Sequence, residues 1–267
     1  MDAHGSSKRR LPAGRKADLA AYVEQAGEVT VGGLAEHFGV SIDTIRRDLD
    51  QLDREGVVIR THGGAVSAAD GQLKDRALDV RLRMQTEEKE KIARLAAGLI
   101  DDGAVVMLNA GTTTLAVARA LRNHRDLTIA TNNLRIPSEI SPAAFRDLYV
   151  FGGAVRAITQ ATTGPVAFTM TPGGPEVDIR CDLALIAVGA VDEAGFSTSN
   201  MGDAAMMAEM IQRAERTAIL ADSSKFGRRL FAQVTTLDRV DYIVTDATPA
   251  PGFTTALAQA EVELITP

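Results

Sequence analysis

SIDTIRRDLDQLDREGVVIRTHGGAV, residues 41–66, changes its period halfway along. Ile42, Ile45, Leu49 and Leu52 recur at spacings of three, four and three, which predicts a helix burying those four side chains. Ser41 stands at its N-cap position and Gly56 at its end. VVIRTHGGAV, 57–66, then alternates and closes on Gly-Gly, which predicts a small β-wing.

Upstream lie two more helical patterns. Leu19, Tyr22 and Val23 give the first an apolar face that ends at Gly27. Leu34, Ala35 and Phe38 mark the second, which ends at Gly39. Ala35, Gly39 and Ile45 stand where a helix-turn-helix needs a small residue, a turn glycine and a β-branched anchor. The predicted third helix leaves Asp43, Thr44, Arg46, Arg47 and Asp50 on its polar face. In this motif that helix lies in the major groove of double-stranded DNA with its first residues on base edges. Arg47 is a candidate for guanine, and Thr44 for a thymine methyl or a phosphate. Ser41, Asp43 and Arg46 flank them, and Arg60 and His62 would meet backbone or minor groove. Arg15 belongs to a basic stretch, Lys8, Arg9, Arg10, Arg15 and Lys16, that either tracks phosphates or is a solvated tail. The bland reading is an ordinary solvated helix face, since residues 1–64 hold nine Lys/Arg against ten Asp/Glu.

From about Glu87 the grammar changes. Helical patterns alternate with short apolar runs at 104–108, 127–130, 148–151, 183–188, 217–220, 242–245 and 262–265. That alternation predicts an α/β layer with a largely parallel sheet. We expect a DNA-binding domain over 1–65, a linker over 66–86 with Arg76 and Arg81 as inter-domain candidates, and an α/β domain over 87–267. TPGGPEVD, 171–178, reads as an exposed loop.

Ligands of open α/β sheets sit at the carboxyl ends of strands. Those ends carry Asn109, Gly111, Thr112, Thr113 and Thr114, then Asn132, then Gly152 and Gly153 with Arg156 behind, then Gly189, then Asp222 and Lys225. Backbone donors and threonine hydroxyls suit a phosphate, Lys225 its charge, and Asn109, Asn132 and Asp222 sugar hydroxyls. Each also has a plainer reading: Gly152-Gly153 as a tight turn, one of Thr112–Thr114 as a helix cap, and Asp222 as an N-cap.

Composition narrows the classes. The chain has 267 residues, 45% apolar, and a formal net charge of −6. Aromatics make up 4% with no Trp, which argues against stacking platforms for single-stranded nucleic acid. Cys181 is the lone cysteine, so no disulfide framework or thiolate metal cluster is expected. The four histidines, 4, 37, 62 and 124, show no metal-ligand spacing. With no signal peptide and no long apolar run, a cytoplasmic protein without metal, cofactor or membrane partner is expected.

Thr44–Leu49, "TIRRDL", followed by His62–Ala65, "HGGA", resembles the N-terminal winged helix-turn-helix of the DeoR family of bacterial transcriptional regulators. GTTT at 111–114, the Thr131-Asn132 pair, Gly152-Gly153 and DSSKFG at 222–227 resemble that family's C-terminal sensor domain. The resemblance runs from about residue 12 to the end. It implies a sensor domain similar to the ribose-5-phosphate isomerase and CoA-transferase-like fold. It also implies a homo-oligomeric repressor, at least a dimer, of carbohydrate metabolism genes, controlled by a phosphorylated sugar or related metabolite. Two positions depart from the family pattern. Asn109 stands where Asp is usual, and Met207, four residues after Asp203, falls where Lys is expected.

An isomerase of this fold would need a carboxylate base and a cation, for which Asp222 and Lys225 are the alternative reading. A DNA-reading module serves no isomerase, so sensing is favoured over catalysis.

Overall fold

The structure, a computed structural model, describes residues 12–26, 28–54, 57–60, 63–67, 78–169 and 174–267. His62, Arg76, Lys8, Arg9 and Arg10 lie outside those residues, as does the start of the TPGGPEVD stretch. Contacts divide the chain into two units: residues 1–73 with 79–84, and 74–78 with 85–267.

The first unit holds helices α1 (Pro12–Ala26), α2 (Val31–Phe38) and α3 (Ile42–Arg54). Thr30 opens α2 by accepting a 3.1 Å hydrogen bond from the Gly33 N–H. Gly39 closes it at φ 63°, a left-handed conformation that glycine adopts without steric cost. Ser41 then opens α3, its hydroxyl accepting from the Thr44 N–H at 3.2 Å. Leu19, Val23, Leu34, Ile45 and Leu49 are fully buried together, with Leu52 and Val58 beside them. One expectation fails here: Ile42 is not buried but 47% exposed. It is the first residue of α3, where the apolar face has not yet turned toward the other helices. The wing is a three-stranded antiparallel sheet in the order β1 (Glu28–Thr30), β3 (Gly64–Ser67), β2 (Val58–Arg60). Strand β1 has no signature in the sequence, being three residues between two helices. A Cβ at Gly64 would run into the Val29 carbonyl, which explains the second glycine of the Gly-Gly pair. Helix α4 (Leu78–Arg83) falls within the stretch read as a linker.

The second unit begins with α5 (Thr86–Ala97), β4 (Val105–Leu108), α6 (Thr112–Ala120), β5 (Leu127–Thr131), α7 (Ile136–Glu139) and β6 (Phe145–Val150). Two hairpin-like pairs follow, β7 (Ala154–Arg156) with β8 (Ala161–Thr163) and β9 (Phe168–Thr169) with β10 (Glu176–Val177). Next come β11 (Cys181–Ala187), β12 (Ala190–Asp192), β13 (Gly195–Thr198), α8 (Met201–Gln212), β14 (Ala214–Leu220), β15 (Ala232–Thr235), β16 (Tyr242–Val244), α9 (Pro251–Gln259) and β17 (Glu263–Ile265). All seven apolar runs become strands of one sheet, in the order β17-β16-β14-β11-β4-β5-β6, every pairing parallel. The smaller sheets were not legible. They are short, and Glu176–Val177 turns part of a stretch read as loop into strand. Among the described residues no helix is long and apolar enough to cross a membrane.

The strand order has a physical consequence. From β4 the chain steps outward through β5 to β6, then returns to lay β11, β14, β16 and β17 on the other side. The reversal falls between β4 and β11. In open parallel sheets a crevice forms at the carboxyl ends where the order reverses, because the connections leave in opposite directions.

Candidate functional site

On the first unit the polar side of α3 carries the exposed Asp43, Arg46 and Arg47. Arg46 leans on Asp43 at 3.5 Å, an exposed pair of little energetic weight. Arg47 makes no ion pair among the described residues. Thr44 is half-buried, its hydroxyl 2.9 Å from the Ser41 hydroxyl, so both belong to the cap of the helix. Two of the other expected DNA contacts are engaged within the unit. Arg15 grips Asp48 through two hydrogen bonds, Nε to Oδ2 at 2.6 Å and Nη2 to Oδ1 at 3.2 Å. That contact holds the guanidinium's pKa above its ordinary value. Arg60 pairs with Asp50 at 3.2 Å, and its N–H donates to Asp53 at 2.9 Å, fastening the wing to the end of α3. Asp48 went unread as a structural residue. The available signal was a carboxylate between the core residues Ile45 and Leu49, where it is 5% exposed and needs a partner.

The second unit gathers its candidates at the carboxyl edge of the sheet. Asn109, immediately after β4, spans the reversal itself. Its amide N–H donates to the Ala187 carbonyl at 2.9 Å, and its Oδ1 accepts from the Ala187 N–H at 2.8 Å, stitching the ends of β4 and β11. Asn132, after β5, accepts from the Ala110 N–H at 2.6 Å and donates to the Thr162 carbonyl at 2.8 Å. Both amides therefore have backbone partners at each end. Gly111 is the N-cap of α6 and offers no side-chain cap, so the N–H groups opening that helix point onward without one. The expectation that a threonine caps α6 is corrected: Thr114 instead donates back to the Asn109 and Gly111 carbonyls. Thr112 and Thr113 are buried beside it.

The remaining candidates have their plainer roles as well. Gly153 adopts φ 125°, and a Cβ there would run into the Thr163 carbonyl, so Gly152-Gly153 makes a tight turn. The Gly189 N–H bonds the Ser197 carbonyl at 3.0 Å, and the Leu230 side chain packs closely against it. Asp222 is buried and caps the short turn Ser223–Lys225, accepting from the Ser224 N–H at 3.2 Å and from its hydroxyl. Lys225 is half-buried on that turn.

A small cavity opens beside the reversal, lined by Asn109, Ala110, Asn132, Asp203, Met206, Met207 and Met210. Asp203, in the first turn of α8, forms an ion pair with Arg156 at 2.7 Å. The two positions that depart from the family pattern, Asn109 and Met207, thus meet in one cavity.

Residues 15–70 match the DeoR-like helix-turn-helix domain, and residues 84–247 match the DeoR C terminal sensor domain. The chain belongs to the DeoR family. It is 34% identical to the HTH-type transcriptional repressor GlcR of Bacillus subtilis (strain 168), over 91% of this chain and 92% of that protein. It is 31% identical to the glycerol-3-phosphate regulon repressor of Escherichia coli (strain K12), over 91% and 94%. It is also 32% identical to the lactose phosphotransferase system repressor of Staphylococcus aureus (strain N315), over 86% and 90%.

In this DeoR-family chain Cys181 is structural. It is buried at the start of β11, and burial pushes its thiol up to about 12. The neutral thiol therefore persists throughout ordinary assay conditions. Iodoacetamide at pH 8 should leave the native protein unlabelled and modify Cys181 only once urea unfolds it. Prompt labelling of native protein would contradict this burial.

Proposed function

We propose that this protein is a transcriptional repressor of carbohydrate metabolism genes that grips operator DNA through α3 and is controlled by a phosphorylated metabolite bound at the sheet's reversal. The observation that carries this reading is a division of labour along α3. Ile45, Asp48 and Leu49 hold the helix in the unit, while Arg46 and Arg47 stay exposed on its first turns. Helices so held can be pressed into a major groove without losing their own stability. The α6 N-terminus beside the crevice suits a phosphate, because its N–H groups and the helix dipole both favour an anion. A homodimer would set two recognition helices on paired half-sites. Effector binding would alter operator affinity by about 1–3 kcal/mol of coupling.

The isomerase alternative asks Asp222 to act as a base. Its carboxylate instead supports the turn that carries Lys225, which favours the regulatory reading.

Gel retardation with duplexes from the DNA flanking its gene tests the proposal. Binding should weaken steeply as salt rises. Arg47→Ala should lose about 1–3 kcal/mol of specific affinity and little non-specific affinity. Protein that ignores every such duplex at low salt, with and without phosphorylated sugars, would refute it.

A further inference from the structure

The cavity at the reversal has two dissimilar walls. On the sheet side, Asn109 and Asn132 have already placed both ends of their amides on backbone groups. On the α8 side, Asp203 is held by Arg156, and beyond it stand Met206, Met207 and Met210, all buried. Each amide keeps a second N–H beyond the one given to a carbonyl, but the wall formed by Met206, Met207 and Met210 carries no hydrogen-bond donor and only weak thioether acceptors. The unoccupied space is about 10 Å³, room for about one water molecule. Methionine is unbranched and repacks readily, so a short chain can enter by rotamer changes alone.

A hydroxyl group set against the Met206, Met207 and Met210 wall gives up its hydrogen bonds to water and meets only weak thioether acceptors in return. A methylene or methyl group loses nothing and gains thioether contacts. Resting on the reading of this crevice as the effector site, we infer that the effector is a small phosphate ester whose other end is a short deoxygenated carbon chain seated among Met206, Met207 and Met210. A fully hydroxylated sugar end does not suit this methionine wall.

The test is isothermal titration of the full chain with inorganic phosphate, propyl phosphate, glycerol 3-phosphate and ribose 5-phosphate. Propyl phosphate and glycerol 3-phosphate differ only in two hydroxyls, so their ratio reports the wall directly. Propyl phosphate should bind about tenfold more tightly than glycerol 3-phosphate, and more tightly than inorganic phosphate. Met207→Gln puts an amide donor and acceptor into the wall at similar size. It should narrow the ratio to about threefold or less, mainly by improving glycerol 3-phosphate. If that variant does not fold, the four ligands on the unaltered chain decide the matter. Equal or tighter binding of glycerol 3-phosphate, ribose 5-phosphate or bare phosphate overturns this inference and leaves the effector site standing. Binding of none of the four overturns both.

Discussion

Asp48→Ala is expected to unfold the DNA-reading unit at temperatures the parent tolerates. The substitution removes one partner of a two-bond ion pair and leaves the Arg15 guanidinium facing a pocket shaped for a carboxylate. Removing one partner of such a pair costs about 3–5 kcal/mol when it is well buried. Arg15 keeps some solvent access, so about 3 kcal/mol is the appropriate figure. For a unit of this size that lowers its melting temperature by roughly 12 °C or more. The pair ties α1 to α3, so operator affinity should fall with it, although Asp48 itself is buried against Arg15. Calorimetry and gel retardation on the same preparation check both effects. The pair lies wholly within the first unit, so phosphate-ester binding by the second should survive. An unchanged melting profile would show that the ion pair does not hold the unit together.

Asn109→Asp is expected to be as costly, for a different reason. The amide now gives a hydrogen to the Ala187 carbonyl and takes one from the Ala187 N–H. A carboxylate can only accept, so its second oxygen would face the Ala187 carbonyl across a site that is 1% exposed. A buried, unpaired charge costs about 3–5 kcal/mol at neutral pH. Burial raises the new group's folded-state pKa above its unfolded value of about 3.9. The penalty is therefore full above the folded pKa and fades as pH falls toward the unfolded one, since a protonated carboxyl can donate as the amide does. Met207→Lys alone should also destabilise, by burying an ammonium. Asp203, one turn earlier on α8, is already held by Arg156, so a carboxylate at 109 is the counter-charge the lysine lacks. Both positions line one cavity, and the double variant should recover about 1–3 kcal/mol relative to the sum of the singles. Urea unfolding of the four proteins at pH 5 and pH 8 measures the cycle. Strictly additive losses would show that the two side chains do not share the space.

Much of this was legible from local pattern. The seven apolar runs became the seven strands of the parallel sheet, because each is a short apolar segment bounded by polar and turn residues and needs no distant information to declare itself. Gly39 and Ser41 declared the turn and cap between α2 and α3 through their own backbone and hydroxyl chemistry. The small strands were illegible because two or three residues carry no period. Ile42 was misread because helical spacing says which side chains share a face but not where a neighbouring helix begins to cover it.

The sequence by itself determined the two kinds of structure, the edge of the sheet on which small and polar residues collect, and the helix that carries Arg46 and Arg47. Those depend on periodicity, caps and composition, which act over a few residues. Only the tertiary structure decided which polar groups are already engaged. It gave Arg15 to Asp48, Arg60 to Asp50, and both ends of Asn109 to Ala187. It also set Asn109 and Met207, ninety-eight positions apart, on one cavity. Hydrogen-bond partners distant in the chain meet only when the sheet order is laid down, and no local signal carries that order.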